Sequence, residues 1–305
     1  MPADARPDRP FRPWVGIGWM AVTGLFFVSV TGIVRYLGSD IPAAQSAFLR
    51  YAIGLLLLLP FLGPILRADT SLRLHGLFAL RGLAHGAGVV LWFYAMARIP
   101  IAEVTALNYL SPIYIAIGAA VFLGEKLAVR RIAAIVAAFV GAMIILRPGF
   151  QDLNAGQNAM IIVAPIFAVS YLLAKSVSMQ SNATVVVGML TIYVTVVLAP
   201  MAWWVWQPVS WVEIGWLTLV AVLATAGHWT MTKALAAAPL AVTQPVTFLQ
   251  LVWATLLGVI AFGEAADTYV MAGGAVIIAS VSFISYREWV LSRTHQTPPA
   301  MATKS

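Results

Sequence analysis

Ten apolar windows, separated by joints of a few polar residues, constrain this chain more than any other feature. They fall near 14–37, 43–66, 74–98, 101–124, 129–147, 156–178, 183–206, 211–237, 239–263 and 267–287. A helix rises about 1.5 Å per residue, so roughly 20 apolar residues cross a hydrocarbon core of about 30 Å. The fifth window is the shortest. Breakers stand in the joints: Gly38 with Pro42, Pro100, Pro148 with Gly149, and Pro239. Joints this short make neighbouring helices antiparallel hairpins. With 61% hydrophobic and only 10% charged residues, a soluble domain would have too little polar surface to cover its exterior. The expected fold class is all-α: a polytopic membrane protein of ten transmembrane helices.

The charges give an orientation. Ten spans put both termini on one side. With the termini cytoplasmic, the inner segments hold Arg6, Arg9, Arg12, Arg67, Arg73, Lys126, Arg130, Arg131, Lys175, Lys233, Arg287, Arg293 and Lys304. The outer ends then hold Arg35, Arg98 and Arg147. Thirteen against three follows the positive-inside rule. The net charge of +7 therefore reads as membrane orientation in the inner membrane, with no nucleic-acid partner expected. The apolar run after MPADARPDRPFRPW is much longer than the roughly 7–15 residues of a signal-peptide core, so it reads as an uncleaved first helix. The chain contains no cysteine, which removes disulfides and thiolate chemistry.

The chain also repeats itself. Residues 100–125, PIAEVTALNYLSPIYIAIGAAVFLGE, align with residues 239–264, PLAVTQPVTFLQLVWATLLGVIAFGE, at an offset of 139. Pro100 meets Pro239, Leu110 meets Leu249, and Gly124-Glu125 meets Gly263-Glu264. The same offset pairs Gly88 with Gly227, and nearby offsets pair Pro60 with Pro200 and Ser29 with Ser170. The expected organisation is a tail over 1–13, a first repeat over 14–148, a second over 149–287 and a tail over 288–305. Five spans per repeat is an odd number, so the second repeat enters the membrane from the opposite side. Inverted repeats are the architecture of secondary transporters, which hold substrate near the midplane between the halves.

The ten spans, the two five-helix halves and the segment PIAEVTALNYLSPIYIAIGAAVFLGEKL together resemble the EamA family of the drug/metabolite transporter superfamily. Pro100, Pro112 and Gly124-Glu125 fit the family pattern, as do Pro239 and Gly263-Glu264. Leu251 stands where Pro112 would pair, and Pro245 lies earlier, so a kink in the second half is expected to be displaced. The resemblance implies a central cavity lined largely by helices one, three, four, six, eight and nine. It also implies a small organic solute: an exported amino acid or related metabolite, or alternatively an imported nucleotide-like or vitamin metabolite.

Polar residues inside apolar windows supply the candidate site. Arg81, His85, Gly88 and Trp92 lie at i, i+4, i+7 and i+11, one face of helix three. A charge at that depth costs at least about 2.5–3.5 kcal/mol, so it must face protein or water. Either Arg81 and His85 line the cavity, or Arg81 meets a carbonyl or an acid and His85 bonds between helices. Helix four offers Asn108, Ser111 and Tyr114 as solute contacts, and Glu103 for proton coupling or for pairing with Arg98, Arg35 or Arg50. Ser170 and Tyr171 stand in helix six, His228 and Trp229 in helix eight, and Thr247 and Gln250 in helix nine. Glu125 and Glu264, at equivalent helix ends, read as structural caps for the helix that follows. Trp14, Trp203, Trp204, Trp206 and Trp211 read as interfacial belt residues.

No nucleophile–base set, HExxH sequence, Walker motif or glycine-rich nucleotide loop is present, and four scattered histidines do not make a metal site. The expectation is a carrier without cofactor, metal or catalytic residues, whose partners are a small solute and the bilayer. A channel or a structural membrane protein is the alternative of a different class. Monomer and homodimer stay open.

Overall fold

Local chemistry at one end of the molecule decides where its helices start. Asn154 and Gln157 cap each other's backbone N–H groups at 2.9 and 3.0 Å, and Ser210 and Glu213 do the same one helix pair later. Asp267 accepts from the N–H groups of Tyr269 and Val270. These side chains satisfy donors that the first turn of a helix leaves open.

The computed structural model describes residues 12–68, 70–123, 129–149, 152–178, 180–181, 183–237, 243 and 246–296. Its helices begin with α1 Pro13–Leu37, α2 Ala43–Leu57, α3 Leu62–Leu66, α4 Leu72–Met96, α5 Ile101–Asn108 and α6 Ser111–Leu123. There follow α7 Val129–Leu146, α8 Ala155–Ser178, α9 Ala183–Trp204, α10 Trp211–Ala237, α11 Leu249–Phe262 and α12 Thr268–Gln296. Among the described residues eight helices are long and apolar enough to cross a membrane. A ninth crossing is the bent run of α2 and Leu59–Ile65, with 57° between its parts. In the ninth sequence window the longest described helix is α11, whose 14 residues cover about 21 Å, less than a full crossing. The expected count of ten is thus not reached among the described residues.

The two halves run in opposite senses, and side-chain contacts show it. The start of α2 is tied to the chain just past the end of α9, because Gln45 donates to the Gln207 carbonyl and accepts from the Gln207 N–H at 2.8 and 2.9 Å. The start of α5 meets the end of α11, where the Ile101 N–H donates to Glu264 at 3.0 Å. The end of α7 meets the start of α12 through Arg147 and Asp267 at 2.6 Å. Each of these pairs joins equivalent members of the two repeats, and each pair is antiparallel. The strongest packing also crosses between halves: α1 lies along α10 as α4 lies along α8. The core is therefore a shared surface of two inverted repeats.

Glycines set the closeness of those crossings. A Cβ on Gly88 would lie 2.5 Å from the Phe167 ring, and one on Gly227 would lie 3.3 Å from the Phe27 ring. The aligned glycines thus do the same work in the two halves, each receiving a phenylalanine from the partner repeat.

The proline expectation holds for the first half. The fourth window breaks at Tyr109–Leu110, between α5 and α6, just before Pro112. In the second half, among the described residues, the helix is interrupted at Phe248, 139 residues after Tyr109, and Pro245 lies outside the described residues. The Tyr109 and Phe248 rings pack edge to face with centroids 5.2 Å apart. Trp14, Trp203, Trp204, Trp206 and Trp211 are all exposed. Glu125 and Pro239 lie outside the described residues.

Candidate functional site

Between the halves lies a cavity of about 200 Å³. Phe27, Val28, Val30 and Thr31 of α1 form one wall, and Arg50 and Tyr51 of α2 another. Helix α4 adds His85, Val89 and Trp92; α5 and the turn after it add Val104, Thr105, Asn108 and Tyr109. The second half contributes Phe167 and Tyr171 from α8, Ala224 and His228 from α10, and Gln250 from α11. All six helices named by the family resemblance reach the cavity. The second span does so as well.

Aromatic rings shape this space, and one histidine from each half stands among them. His85 lies 5.3 Å from Phe167, and His228 lies 5.2 Å from Phe27, centroid to centroid. Each pair joins the two halves beside one of the aligned glycines. Ser170 stands behind the wall and hydrogen-bonds His85 Nδ1 at 3.1 Å. Tyr51 meets His85 edge-on, and the Arg50 guanidinium lies over the Tyr51 ring at 4.2 Å. Trp92 stacks edge to face on Phe167. The Tyr109 hydroxyl donates to the Thr247 carbonyl at 3.0 Å, a group near the break at Phe248.

Three fully buried polar atoms of wall residues have no hydrogen-bond partner among the described residues: Arg50 Nε, Trp92 Nε1 and Asn108 Oδ1. Buried polar atoms are almost always paired, by protein, water or ligand. All three belong to residues that line the one cavity, and polar groups in a largely aromatic wall are what a site for a polar solute uses.

Of the residues singled out in the sequence, His85, Trp92, Asn108, Tyr171, His228 and Gln250 are on the wall. Arg81 is not: it is buried and donates to the Val186 carbonyl at 3.3 Å. Helix α9 covers the face of α4 at that depth, which the spacing of Arg81, His85 and Trp92 does not reveal. Ser111 is buried with its hydroxyl unpaired among the described residues, off the wall. Tyr114 packs on Phe139. Trp229 is exposed, set edge-on to Trp19 with Lys233 over its ring. Thr247 contributes its carbonyl to Tyr109 and is not on the wall.

Glu103 pairs with none of the arginines considered for it. It is buried and accepts from Gln157 Nε2 at 2.7 Å. Arg35 is engaged with Glu264 and the Ala97 carbonyl, Arg98 with the ring and carbonyl of Tyr94, and Arg50 with the cavity. Glu264 caps a helix, but the one it caps is α5 of the other repeat rather than the helix that follows. The following helix is capped by Asp267. The residues that the sequence did not bring to the site, Arg50 with Tyr51 above all, carried one signal: a cation inside an apolar window.

Comparison with known proteins agrees with this architecture. The family model described as the EamA-like transporter family matches residues 14–147 and again residues 155–286. A riboflavin transporter of Vibrio cholerae serotype O1 is 31% identical over 288 residues, covering 92% of this chain and 96% of the relative. A riboflavin transporter of Rhizobium johnstonii is 29% identical, covering 92% and 93%. An S-adenosylmethionine uptake transporter of Rickettsia felis is 26% identical, covering 92% and 96%. A solved crystal structure superposes with a TM-score of 0.54 at 18% identity, over 93% of this chain and 97% of that one, a likeness of fold alone. Two successive matches to one family pattern, on two halves that pack as inverted repeats around a cavity, lead to one assignment: the chain belongs to the EamA-like transporter family and is a multi-pass membrane transporter of a small solute, not an enzyme.

Proposed function

We propose that this transporter carries a planar, polar heteroaromatic metabolite of the riboflavin type into the cell by alternating access. The observation that carries the reading is the cavity's make-up. Rings of Phe27, Tyr51, Trp92, Tyr109, Phe167 and Tyr171 surround it, and the polar side chains of Arg50, Asn108 and Gln250 stand among them. Flat aromatic walls favour stacking on a flat solute, and the polar side chains favour one with a polar edge. Two relatives at 31% and 29% identity are named as riboflavin transporters, which favours the vitamin or nucleotide-like alternative over amino-acid efflux. The site residues in this reading are Arg50, His85, Trp92, Asn108, Tyr171, His228 and Gln250. The termini face the cytoplasm, in line with the thirteen inner basic residues against three.

The test is growth of a riboflavin-auxotrophic bacterium on micromolar riboflavin, with and without this protein. Expression is expected to restore growth and to sensitise cells to a toxic flavin analogue. No rescue and no accumulation of labelled riboflavin, in cells that hold the protein in the membrane, would overturn the reading. Protection against the analogue instead of sensitisation would reverse the direction to export.

A further inference from the structure

We propose that Ser170 holds His85 in the tautomer with its proton on Nε2, so that His85 presents a fixed hydrogen-bond donor to the cavity and Ser170 is a positioning residue. This deepens the flavin-type reading and rests on it only for the choice of the first solute.

The hydroxyl proton of Ser170 decides the tautomer. Ser170 is buried, and among the described residues its hydroxyl makes one hydrogen bond, to His85 Nδ1 at 3.1 Å. A helical serine often gives its proton to the carbonyl four residues back, as Ser29, Ser176 and Ser280 do here. The hydroxyl of Ser170 is turned to the histidine instead, and Nδ1 is the acceptor in reach. A ring with a proton on Nδ1, on that nitrogen alone or on both, would use the hydroxyl oxygen as acceptor. The serine proton would then be buried without a partner, which disfavours that arrangement about fivefold or more. The ring proton therefore sits on Nε2.

Nε2 is placed to use it. Among the described residues Nε2 makes no hydrogen bond, it is not one of the fully buried unpaired atoms, and His85 lines the cavity. The ring plane is held as well. Phe167 lies along it, with centroids 5.3 Å apart and 33° between the planes, and Tyr51 meets it edge-on. Other polar groups of the wall are less committed. The amides of Asn108 and Gln250 and the hydroxyls of Tyr51 and Tyr171 can each offer a donor or an acceptor. Arg50 donates by its nature; His85 donates because of the serine behind it. Ser29, which pairs with Ser170 in the repeat, is exposed and gives its proton to the Leu25 carbonyl. The solute class is one that brings an acceptor, a carbonyl oxygen or a ring nitrogen, to the place where His85 packs on Phe167. An ammonium in that place would meet a donor with a donor.

The experiment is 15N NMR of the purified full-length protein in lipid nanodiscs, with label in histidine alone. The two ring nitrogens report which one carries the proton and whether the other accepts a hydrogen bond. Comparison with His85→Gln identifies the His85 signals among the four histidines. The expected spectrum, before any solute is added, has a protonated Nε2 and a hydrogen-bonded Nδ1. Ser170→Ala should move the Nδ1 signal to that of an unbonded nitrogen, and Ser170→Thr, which keeps the hydroxyl, should restore it. Saturating riboflavin, with binding followed separately by quenching of flavin fluorescence, should move the Nε2 signal. His85→Phe, which keeps a ring against Phe167 but has no donor, should bind riboflavin about threefold to tenfold more weakly.

A proton on Nδ1 in the wild-type protein overturns the inference, and this reading needs no variant, so a misfolded Ser170→Ala protein leaves the test intact. An Nδ1 signal that Ser170→Ala leaves unchanged also overturns it, as does riboflavin that binds without moving the Nε2 signal. If riboflavin does not bind at all, the flavin reading falls, and a protonated Nε2 with a Ser170-dependent Nδ1 still supports the inference.

Discussion

The two halves share a backbone plan but not a cavity chemistry. Aligned glycines, paired histidine–phenylalanine stacks and interrupted turns at Tyr109 and Phe248 relate one repeat to the other. Yet the fully buried polar atoms left unpaired in wall residues, Arg50 Nε, Trp92 Nε1 and Asn108 Oδ1 among the described residues, all belong to the first half. The offset of 139 puts Met231 opposite Trp92 and Thr247 opposite Asn108, while the offset of 140 that joins Pro60 to Pro200 puts Leu190 opposite Arg50. Backbone symmetry serves motion, because two inverted halves make the inward-facing and outward-facing forms near mirror states. Side-chain asymmetry serves recognition, because a solute has no two-fold axis and one half must hold its polar edge.

Substitutions at repeat-equivalent positions break or sharpen this comparison. The largest difference is expected on transport. Asn108→Ala should lower kcat/KM for uptake about tenfold, whereas Thr247→Ala should change it less than about threefold. Initial rates of labelled riboflavin uptake into proteoliposomes measure both, and equal losses would mean that the halves share the binding work.

Next comes packing. Gly88→Ala forces a methyl to within 2.5 Å of the Phe167 ring and should destabilise by about 1–3 kcal/mol. Gly227→Ala meets Phe27 only at 3.3 Å, and helix propensity returns about 1 kcal/mol, so its net effect should be near zero. Thermal unfolding in detergent separates them. A larger loss for Gly227→Ala would overturn the asymmetry.

The third difference concerns the end that Glu264 ties together. Glu264→Gln keeps an acceptor for the Ile101 N–H but removes the charge facing Arg35, a pair that is only partly shielded from solvent. A loss of about 1 kcal/mol should open that end about fivefold more often. Because the chain has no cysteine, a single Thr105→Cys reporter on the cavity wall gives a clean thiol-labelling rate. Unchanged labelling would show that this ion pair does not gate access.

The smallest effect is the removal of one hydroxyl. Tyr109→Phe makes the turn pair identical in the two halves and removes the bond to the Thr247 carbonyl. Interhelical hydrogen bonds in membranes average about 0.6 kcal/mol, so the unfolding midpoint should fall by a degree or so while uptake is retained.

The apolar windows, the repeat and the belt tryptophans were legible in the sequence, because each rests on composition or spacing along one chain. His85, Trp92, Asn108, His228 and Gln250 were legible for the same reason: a polar group inside an apolar span has few places to go. Arg81 shows where that logic stops. It shares a helical face with His85 and Trp92, yet one turn away the face is covered by α9 and its guanidinium meets the Val186 carbonyl. Periodicity assigns a face, and the neighbouring helix decides what that face meets. Glu264 makes the same point at a helix end, where its carboxylate reaches across to the opposite repeat.

By itself, then, the sequence determined that this chain is a helical membrane protein of two related halves, since bilayer thickness and backbone hydrogen bonding allow an apolar chain little else. Only the tertiary structure decided which polar groups stay unpaired. That outcome depends on contacts between residues 54 and 229 positions apart in the chain. Those contacts pair Arg35 with Glu264 and Glu103 with Gln157, and leave Arg50 facing the cavity.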